Sequence, residues 1–123
     1  MADILYADLI GKPFVKDGRG PDGYDCYGLV REMFRRTGRE TPEYSAKNAE
    51  GMANMARIAL GLREWKKTDQ RPGVMVVFRL AKTLHVGFVL PYGRMIHTWE
   101  HSGGVCVERF DDWKTKVIGC YEY

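Results

Sequence analysis

Several features that would assign a function directly are scarce or missing in this sequence. No apolar run approaches the ~20 residues of a membrane-spanning helix, so membrane insertion is not expected. The first residues, Met1–Asp8, lack the basic and long apolar segments of a secretory signal, so none is predicted. The net charge is only +3, and the basic residues are scattered without interleaved aromatic rings. This pattern argues against nucleic acid as a partner.

Cysteine is also scarce, and its spacing excludes two kinds of site. The chain has three cysteines, which is an odd number, so a disulfide framework is not expected. There is no CxxC pair and no zinc-finger spacing of cysteines and histidines, so we predict no metal site. With 123 residues, 45% of them hydrophobic, the chain is predicted to form one domain over residues 1–123.

The first half of the chain is predicted to be helical after a long loop. Residues 4–10 are compatible with a short helix or an extended arm. Residues 11–25 are rich in Gly, Pro and Asp, which predicts a turn-rich loop of the kind that often carries function. An apolar stripe at helical spacing then predicts a helix over Cys26–Thr37, capped by Asp25. A second helix is predicted over residues 45–62.

The second half shows the short apolar runs and turns of a β-meander. The predicted strands are Val74–Phe78, Leu84–Leu90, Arg94–Trp99, Val105–Phe110 and Val117–Tyr121. Helices followed by an antiparallel meander predict an α+β fold, with the helices packed on a sheet of approximately five strands.

Cys26 is placed differently from the other two cysteines. It follows the glycine-rich loop and opens the predicted helix, where the positive end of the helix dipole favours a thiolate. A thiolate is a nucleophile, so Cys26 is the candidate catalytic cysteine. Cys106 and Cys120 lie inside predicted strands among apolar or small neighbours, and we interpret both as inert core residues.

A catalytic cysteine needs a base, and two histidines are suitably placed. His85 lies in an apolar strand, where a lone histidine is usually structural. His97 lies in the next strand, and the turn between these strands lets them pair as a hairpin with the two rings side by side. This arrangement would supply a base and a group that orients it. His101 lies in a predicted turn and is expected to be exposed.

Four segments, in order, resemble motifs of the NlpC cysteine peptidases. Asp25-Cys26-Tyr27-Gly28 resembles the nucleophile motif, and Pro72–Phe78 resembles the strand that follows it in the family. Leu84–Leu90 resembles the strand that carries the catalytic histidine. Arg94–Thr98 resembles the strand that carries the third polar residue. The resemblance extends from about Gly11 to the end of the chain.

The resemblance implies a papain-like NlpC-type fold and a cysteine peptidase that hydrolyses the stem peptide of peptidoglycan. The bond usually cut joins the side-chain carboxyl of D-glutamate to a diamino acid, commonly diaminopimelate. Cys26, His85 and His97 would be the catalytic residues. Asp25 would bind a substrate amine, and no cofactor would be needed.

The loop over residues 11–19 and the aromatic residue after Cys26 are most similar to phage and prophage peptidases associated with tail assembly. A tail-associated protein would be made in the host cytoplasm and would act on the host cell wall, with other tail-tip proteins as partners. Tail delivery would also account for the missing signal.

Two departures from the family motif concern substrate binding. Tyr27 stands where most members have a serine that binds substrate. Phe14 stands where many have a tyrosine whose hydroxyl assists at the oxyanion. Both positions are predicted to contact substrate. Two alternatives stay open: a structural tail-tip component with the same fold and little catalysis, and an acyltransferase or lipid hydrolase of a permuted fold. In permuted relatives the histidine precedes the cysteine, whereas here Cys26 comes first.

Overall fold

The structure is a computed structural model that describes residues 3–44, 61–81 and 83–123. The N-terminal segment contains a short 3₁₀ helix, Ala7–Leu9, in which Leu9 is buried. The sequence left a short helix and an extended arm open for residues 4–10. The segment combines irregular chain with one helical turn. No helix in the described part of the chain is both long enough and apolar enough to cross a membrane.

An α-helix, α1, spans Cys26–Arg36, as its apolar spacing predicted. Its N-cap is Asp25, whose side chain accepts a hydrogen bond from the backbone N–H of Gly28 at 2.6 Å. Gly38 follows the helix with φ +84°, a left-handed conformation that glycine adopts without steric cost at a helix end. The capping residues therefore fix both ends of α1, and place Cys26 in its first turn.

In the described residues, six strands form one antiparallel sheet. They are β1 (Lys66–Thr68), β2 (Met75–Leu80), β3 (Thr83–Leu90), β4 (Arg94–His97), β5 (Cys106–Arg109) and β6 (Val117–Glu122). Their order across the sheet is β1-β6-β2-β3-β4-β5. Strands β2 to β5 thus form a meander, and the C-terminal strand returns to pair with β2 on its other side.

The two faces of the sheet bury separate sets of side chains because successive residues of a strand point to opposite faces. Val86, Phe88 and Ile96 lie on one face and pack against α1. Val89, Met95 and Phe110 lie on the other face, with Cys120 and the partly buried ring of Trp113. This second face also carries His85 and His97, which have the same alternation as Val89 and Met95.

The α+β fold is confirmed, with two corrections to its elements. The sheet has six strands rather than five, because β1 pairs with β6. β1 was missed since its three polar residues carry no apolar alternation, and only the neighbouring strand makes them a strand. β4 ends at His97, two residues before the predicted end. The predicted helix over 45–62 lies mostly outside the described residues, and Leu62–Glu64 form a 3₁₀ turn.

Candidate active site

The candidate site is a cleft of about 630 Å³ where the start of α1 meets the beginning of β3. Both Cys26 and His85 line it, so the structure brings the predicted nucleophile and the predicted base to one cavity. The other lining residues are Phe14, Lys16, Asp17, Asp25, Leu80, Ala81, Thr83, Leu84, Trp99, Glu100, His101 and Lys116.

The Cys26 thiol lies against β3, next to the candidate base. Its sulfur accepts hydrogen bonds from the backbone N–H groups of Val86 and Tyr27, and Val86 is the residue that directly follows His85. These bonds lower the thiol pKa, but burial and the nearby Asp25 carboxylate outweigh them and raise it to about 11. The expected thiolate at the helix start is therefore wrong for the resting protein. Desolvation penalises the charged form more than the helix start favours it.

His85 and His97 lie on the same face of the hairpin, and their side chains are hydrogen-bonded. Nε2 of His85 is 2.7 Å from Nδ1 of His97. The register that pairs Phe88 with Ile96 places His97 opposite Gly87, so the two histidines are diagonal neighbours rather than directly opposite. A Cβ at Gly87 would come within 3.3 Å of the His97 Cβ. The absence of a side chain at Gly87 leaves room for the two rings to meet.

Aromatic rings surround the histidine pair on the face away from α1. Phe78 stacks on His85 with ring centroids 5.9 Å apart, and Trp113 meets the His97 ring edge-on at 5.0 Å. Trp99 lies 6.4 Å from His85. His97 is fully buried and His85 is 4% exposed. Burial, together with the neighbouring ring of His97, lowers the pKa of His85 to about 3, and burial also lowers the pKa of His97.

Glu108 extends the histidine pair and was not predicted from the sequence. Its Oε2 is 2.5 Å from Nε2 of His97. Glu108 pairs with Met95 in the β4–β5 ladder, so it lies diagonal to His97 on the same face. The alternation of the predicted strand contained this signal. The eight residues between β4 and β5 conceal the register, however, so the face of Glu108 could not be assigned.

Three groups that can bind a metal lie close together beside this pair. His97, Cys106 and Glu108 offer ligand atoms within 4.8 Å of one another. The hydrogen bond from His97 to Glu108 accounts for the closest of these contacts, and the Cys106 sulfur lies 3.9 Å from the same carboxylate oxygen. The arrangement is therefore explained by hydrogen bonding without an ion.

A network of charged side chains holds the start of α1. Oδ1 of Asp25 accepts from Arg19 at 2.7 Å in addition to its capping bond. Arg19 also donates from Nε to Glu43 at 2.9 Å, and Arg31 donates to Glu43 at 2.8 Å. Asp25 lines the cleft with its side chain 16% exposed. Its capping role is thus part of the structure, while its predicted role toward a substrate amine stays a prediction.

The two other residues predicted to contact substrate lie in different places. Phe14 lines the cleft, where its ring can contact a ligand but offers no hydroxyl. Tyr27 is 8% exposed, and its hydroxyl donates to the carbonyl of Pro42 at 2.5 Å. Its ring packs against Tyr44 and Trp65, and Tyr27 is not among the residues that line this cleft. The contacts of Tyr27 therefore give its predicted substrate role no support.

The remaining cysteines and the third histidine are less well placed for catalysis. Cys120 is buried among apolar side chains of the second face, as predicted. Cys106 was interpreted as a core residue, but it is half-buried beside Glu108 because β5 is the edge strand of the sheet. His101 is exposed, as predicted, with its ring edge-on to Trp99 at 5.2 Å.

These features define a class of protein: an α+β domain with a cysteine at the start of the helix that packs on an antiparallel sheet, and a histidine pair on neighbouring strands of that sheet. The chain belongs to the NlpC/P60 family, whose model matches residues 11–121.

Comparison with individual proteins agrees with this assignment. A Listeria grayi protein named "Probable endopeptidase p60" is 27% identical over 119 residues, which cover 94% of this chain and 21% of that protein. NlpC1 from Trichomonas vaginalis matches with a TM-score of 0.71 and 20% identity, over 98% of this chain and 41% of that one. The NlpC/p60 domain of the peptidoglycan hydrolase SagA matches with a TM-score of 0.61 and 20% identity, over 96% and 92% of the two chains. This chain thus spans about a fifth of the length of the Listeria protein, and the two structures share its fold.

Proposed function

We propose that this domain is a cysteine peptidase that hydrolyses an amide bond in the stem peptide of peptidoglycan. One observation carries the proposal: in a chain of the NlpC/P60 family, Cys26 lines one cleft together with His85, whose ring is hydrogen-bonded to His97. The names of relatives, an endopeptidase and a peptidoglycan hydrolase, support the same substrate. Cys26 would be the nucleophile, His85 the base and His97 the group that orients the base.

In the proposed first step, the Cys26 sulfur attacks the scissile carbonyl carbon while its proton passes to Nδ1 of His85. Nε2 of His85 is engaged with His97, which leaves Nδ1 as the ring nitrogen available for this transfer. A backbone N–H at the start of α1 would donate to the developing oxyanion. Collapse of the intermediate breaks the C–N bond, and the leaving amine takes the proton from His85.

The second step would regenerate the enzyme. Water gives a proton to His85 as its oxygen attacks the thioester carbonyl, the C–S bond breaks, and the sulfur recovers the proton. The pKa of Cys26 is raised and that of His85 is lowered, so the resting pair is a neutral thiol and a neutral imidazole. Proton transfer therefore accompanies attack, and no preformed ion pair is required.

The proposed scissile bond joins the side-chain carboxyl of D-glutamate to a diamino acid such as diaminopimelate. The motif around Cys26 supports this choice, as does Asp25 in the cleft, which could bind the amine at the N-terminal end of the substrate. Lys16 and Lys116 also line the cleft and are exposed, so they could meet the carboxylates of such a peptide.

The proposed setting is a phage or prophage tail, from which the domain acts on the host cell wall alongside other tail-tip proteins. The loop over residues 11–19 and the aromatic residue Tyr27 support this setting through their resemblance to tail-associated peptidases. We expect the protein in purified particles, at or near the tail tip. If free protein accumulates and particles lack it, release at lysis would replace this part of the proposal.

The proposed reaction is tested with purified peptidoglycan and with a synthetic D-glutamyl-diamino acid peptide. Mass spectrometry of the fragments should show new carboxyl and amine ends at the D-glutamyl bond, and none with Cys26→Ala. Cleavage of another stem-peptide bond would retain the peptidase and change the bond. A well-folded wild type that cuts no wall peptide would instead favour the structural tail-tip component.

A further inference from the structure

Three side chains form a continuous hydrogen-bonded chain across neighbouring strands of one sheet face. His85 lies on β3, His97 on β4 and Glu108 on β5, each diagonal to the next. The two links measure 2.7 Å and 2.5 Å. Because the middle ring is fully buried and both its nitrogens are engaged, the proton positions along this chain depend on one another.

We infer that Glu108 is a positioning residue that sets the direction of hydrogen-bond donation from His85 through His97. It thereby keeps Nδ1 of His85 free to accept a proton. The inference rests on the proposed function, in which His85 is the base. Glu108 does not line the cleft, so it acts through His97 rather than on the substrate.

The direction follows from the donors and acceptors of each group. An ionised carboxylate only accepts hydrogen bonds, so a neutral His97 must donate to Glu108 from Nε2. A neutral imidazole carries a single N–H, so Nδ1 of His97 is then an acceptor and receives the N–H of His85 Nε2. Nδ1 of His85 is left without a proton, which is the form that a base toward Cys26 needs.

Loss of the acceptor at Glu108 would allow the opposite arrangement. The proton of His97 could then move to Nδ1 and be donated to Nε2 of His85. The single proton of His85 would have to lie on Nδ1, toward the cleft, and this tautomer cannot take the proton of the thiol. The carboxylate also favours the imidazolium that forms when His85 is protonated, because it places negative charge at the far end of the chain.

Two substitutions separate the effect of losing the hydrogen-bond acceptor at Glu108 from the effect of losing its negative charge. Glu108→Met keeps the length of the side chain and removes the acceptor, and we expect kcat to fall about 10- to 100-fold with little change in KM. Glu108→Gln retains a neutral carbonyl that can still accept, so kcat should fall less than in Glu108→Met. Asp111→Asn, an exposed charge removal in the next turn of the chain, is the matched control and should keep the wild-type rate.

The ¹⁵N NMR shifts of the histidine rings give the decisive readout, because protonated and unprotonated ring nitrogens have distinct shifts. At neutral pH, the wild type should show protons on Nε2 of both His85 and His97, and Glu108→Met should show protonation of Nδ1. This pattern can be measured even if no wall peptide is cleaved, so it fails or holds separately from the proposed reaction. A Glu108→Met protein with the wild-type kcat, or one whose histidine shifts are unchanged, would overturn the inference.

Discussion

The start of α1 and the face of the sheet that carries His85 and His97 (the histidine face) meet at the cleft but are stabilised in opposite ways. The start of α1 is charged and partly exposed, and its ion pairs link Arg19, Asp25 and Glu43. The histidine face is dry and aromatic, and the rings of Phe78 and Trp113 cover His85 and His97. Charge fixes the position of the nucleophile, whereas exclusion of water keeps its base neutral. Burial nevertheless acts in both regions: it raises the pKa of the Cys26 thiol and lowers that of His85, and so opposes the charged form of each.

The largest expected effect comes from removing the group that each region contributes to the reaction. Cys26→Ala should abolish cleavage of a D-glutamyl-diamino acid peptide, with a loss of more than ~10,000-fold in kcat. His85→Ala should cost about 100- to 10,000-fold because a neutral thiol without its base is a poor nucleophile. Rates are measured on proteins whose fold is checked by circular dichroism.

Cys120→Ala is the matched control for the nucleophile. It removes a buried thiol from the far side of the sheet, and we expect a cost of about 1 kcal/mol in stability with an unchanged kcat. Cleavage that persists in a folded Cys26→Ala protein would contradict the mechanism.

His97→Ala should distinguish the contribution of the orienting group, His97, from that of the base, His85. An orienting group contributes less than the base that it holds, so the loss in kcat should be roughly 10- to 100-fold smaller than that of His85→Ala. Parallel measurement of kcat and KM for both variants tests the order. Equal losses in the two variants would show that the pair acts as one unit.

Charge at the start of α1 is tested by stability rather than by rate. Arg19→Met should lower the free energy of unfolding by about 1–3 kcal/mol, because Arg19 is 22% exposed and its loss removes one charged donor from Asp25, which keeps Gly28, and from Glu43, which keeps Arg31. Arg35→Met is the control: Arg35 is 64% exposed and pairs with Glu32 within the helix, so its loss should cost much less than the loss of Arg19. Urea unfolding measures both, and equal costs would show that the network at the helix start adds nothing.

The dry face should give the protein a distinctive dependence of stability on pH. Burial holds the pKa of His85 and His97 below the ordinary value of 6.5, so the unfolded chain binds protons first as the pH falls. This contribution to stability is present above pH 6.5 and is lost below it, by up to ~1.4 kcal/mol per pH unit for each histidine. Burial raises the pKa of Glu32 and Glu43, but hydrogen bonds from arginines outweigh it and hold both below the ordinary value of 4.5. Their contribution to stability is lost only as the pH falls below that value, so unfolding is best measured between about pH 5 and 6.5.

Histidine substitutions identify the source of that slope. His85→Gln should flatten the fall in stability between about pH 5 and 6.5. His101→Gln, which removes an exposed imidazole, is the matched control. A wild-type protein whose stability is constant over this range would show that the histidine face is wetter than its contacts indicate.

The sequence by itself determined those features that depend on local patterns. The apolar stripe and Asp25 predicted α1 and its cap, and short apolar runs separated by turns predicted most of the sheet. The spacing of Cys26, His85 and His97 predicted the candidate site, because a helix start and a short hairpin restrict where these side chains can lie.

The tertiary structure decided what depends on neighbours that are distant along the chain. β1 exists only because β6 pairs with it, and Glu108 reaches His97 only through the register of β4 and β5. The state of the Cys26 thiol was also decided in three dimensions. The sequence showed that Cys26 opens a helix. The burial that raises the pKa of the Cys26 thiol comes from packing of that helix against the sheet.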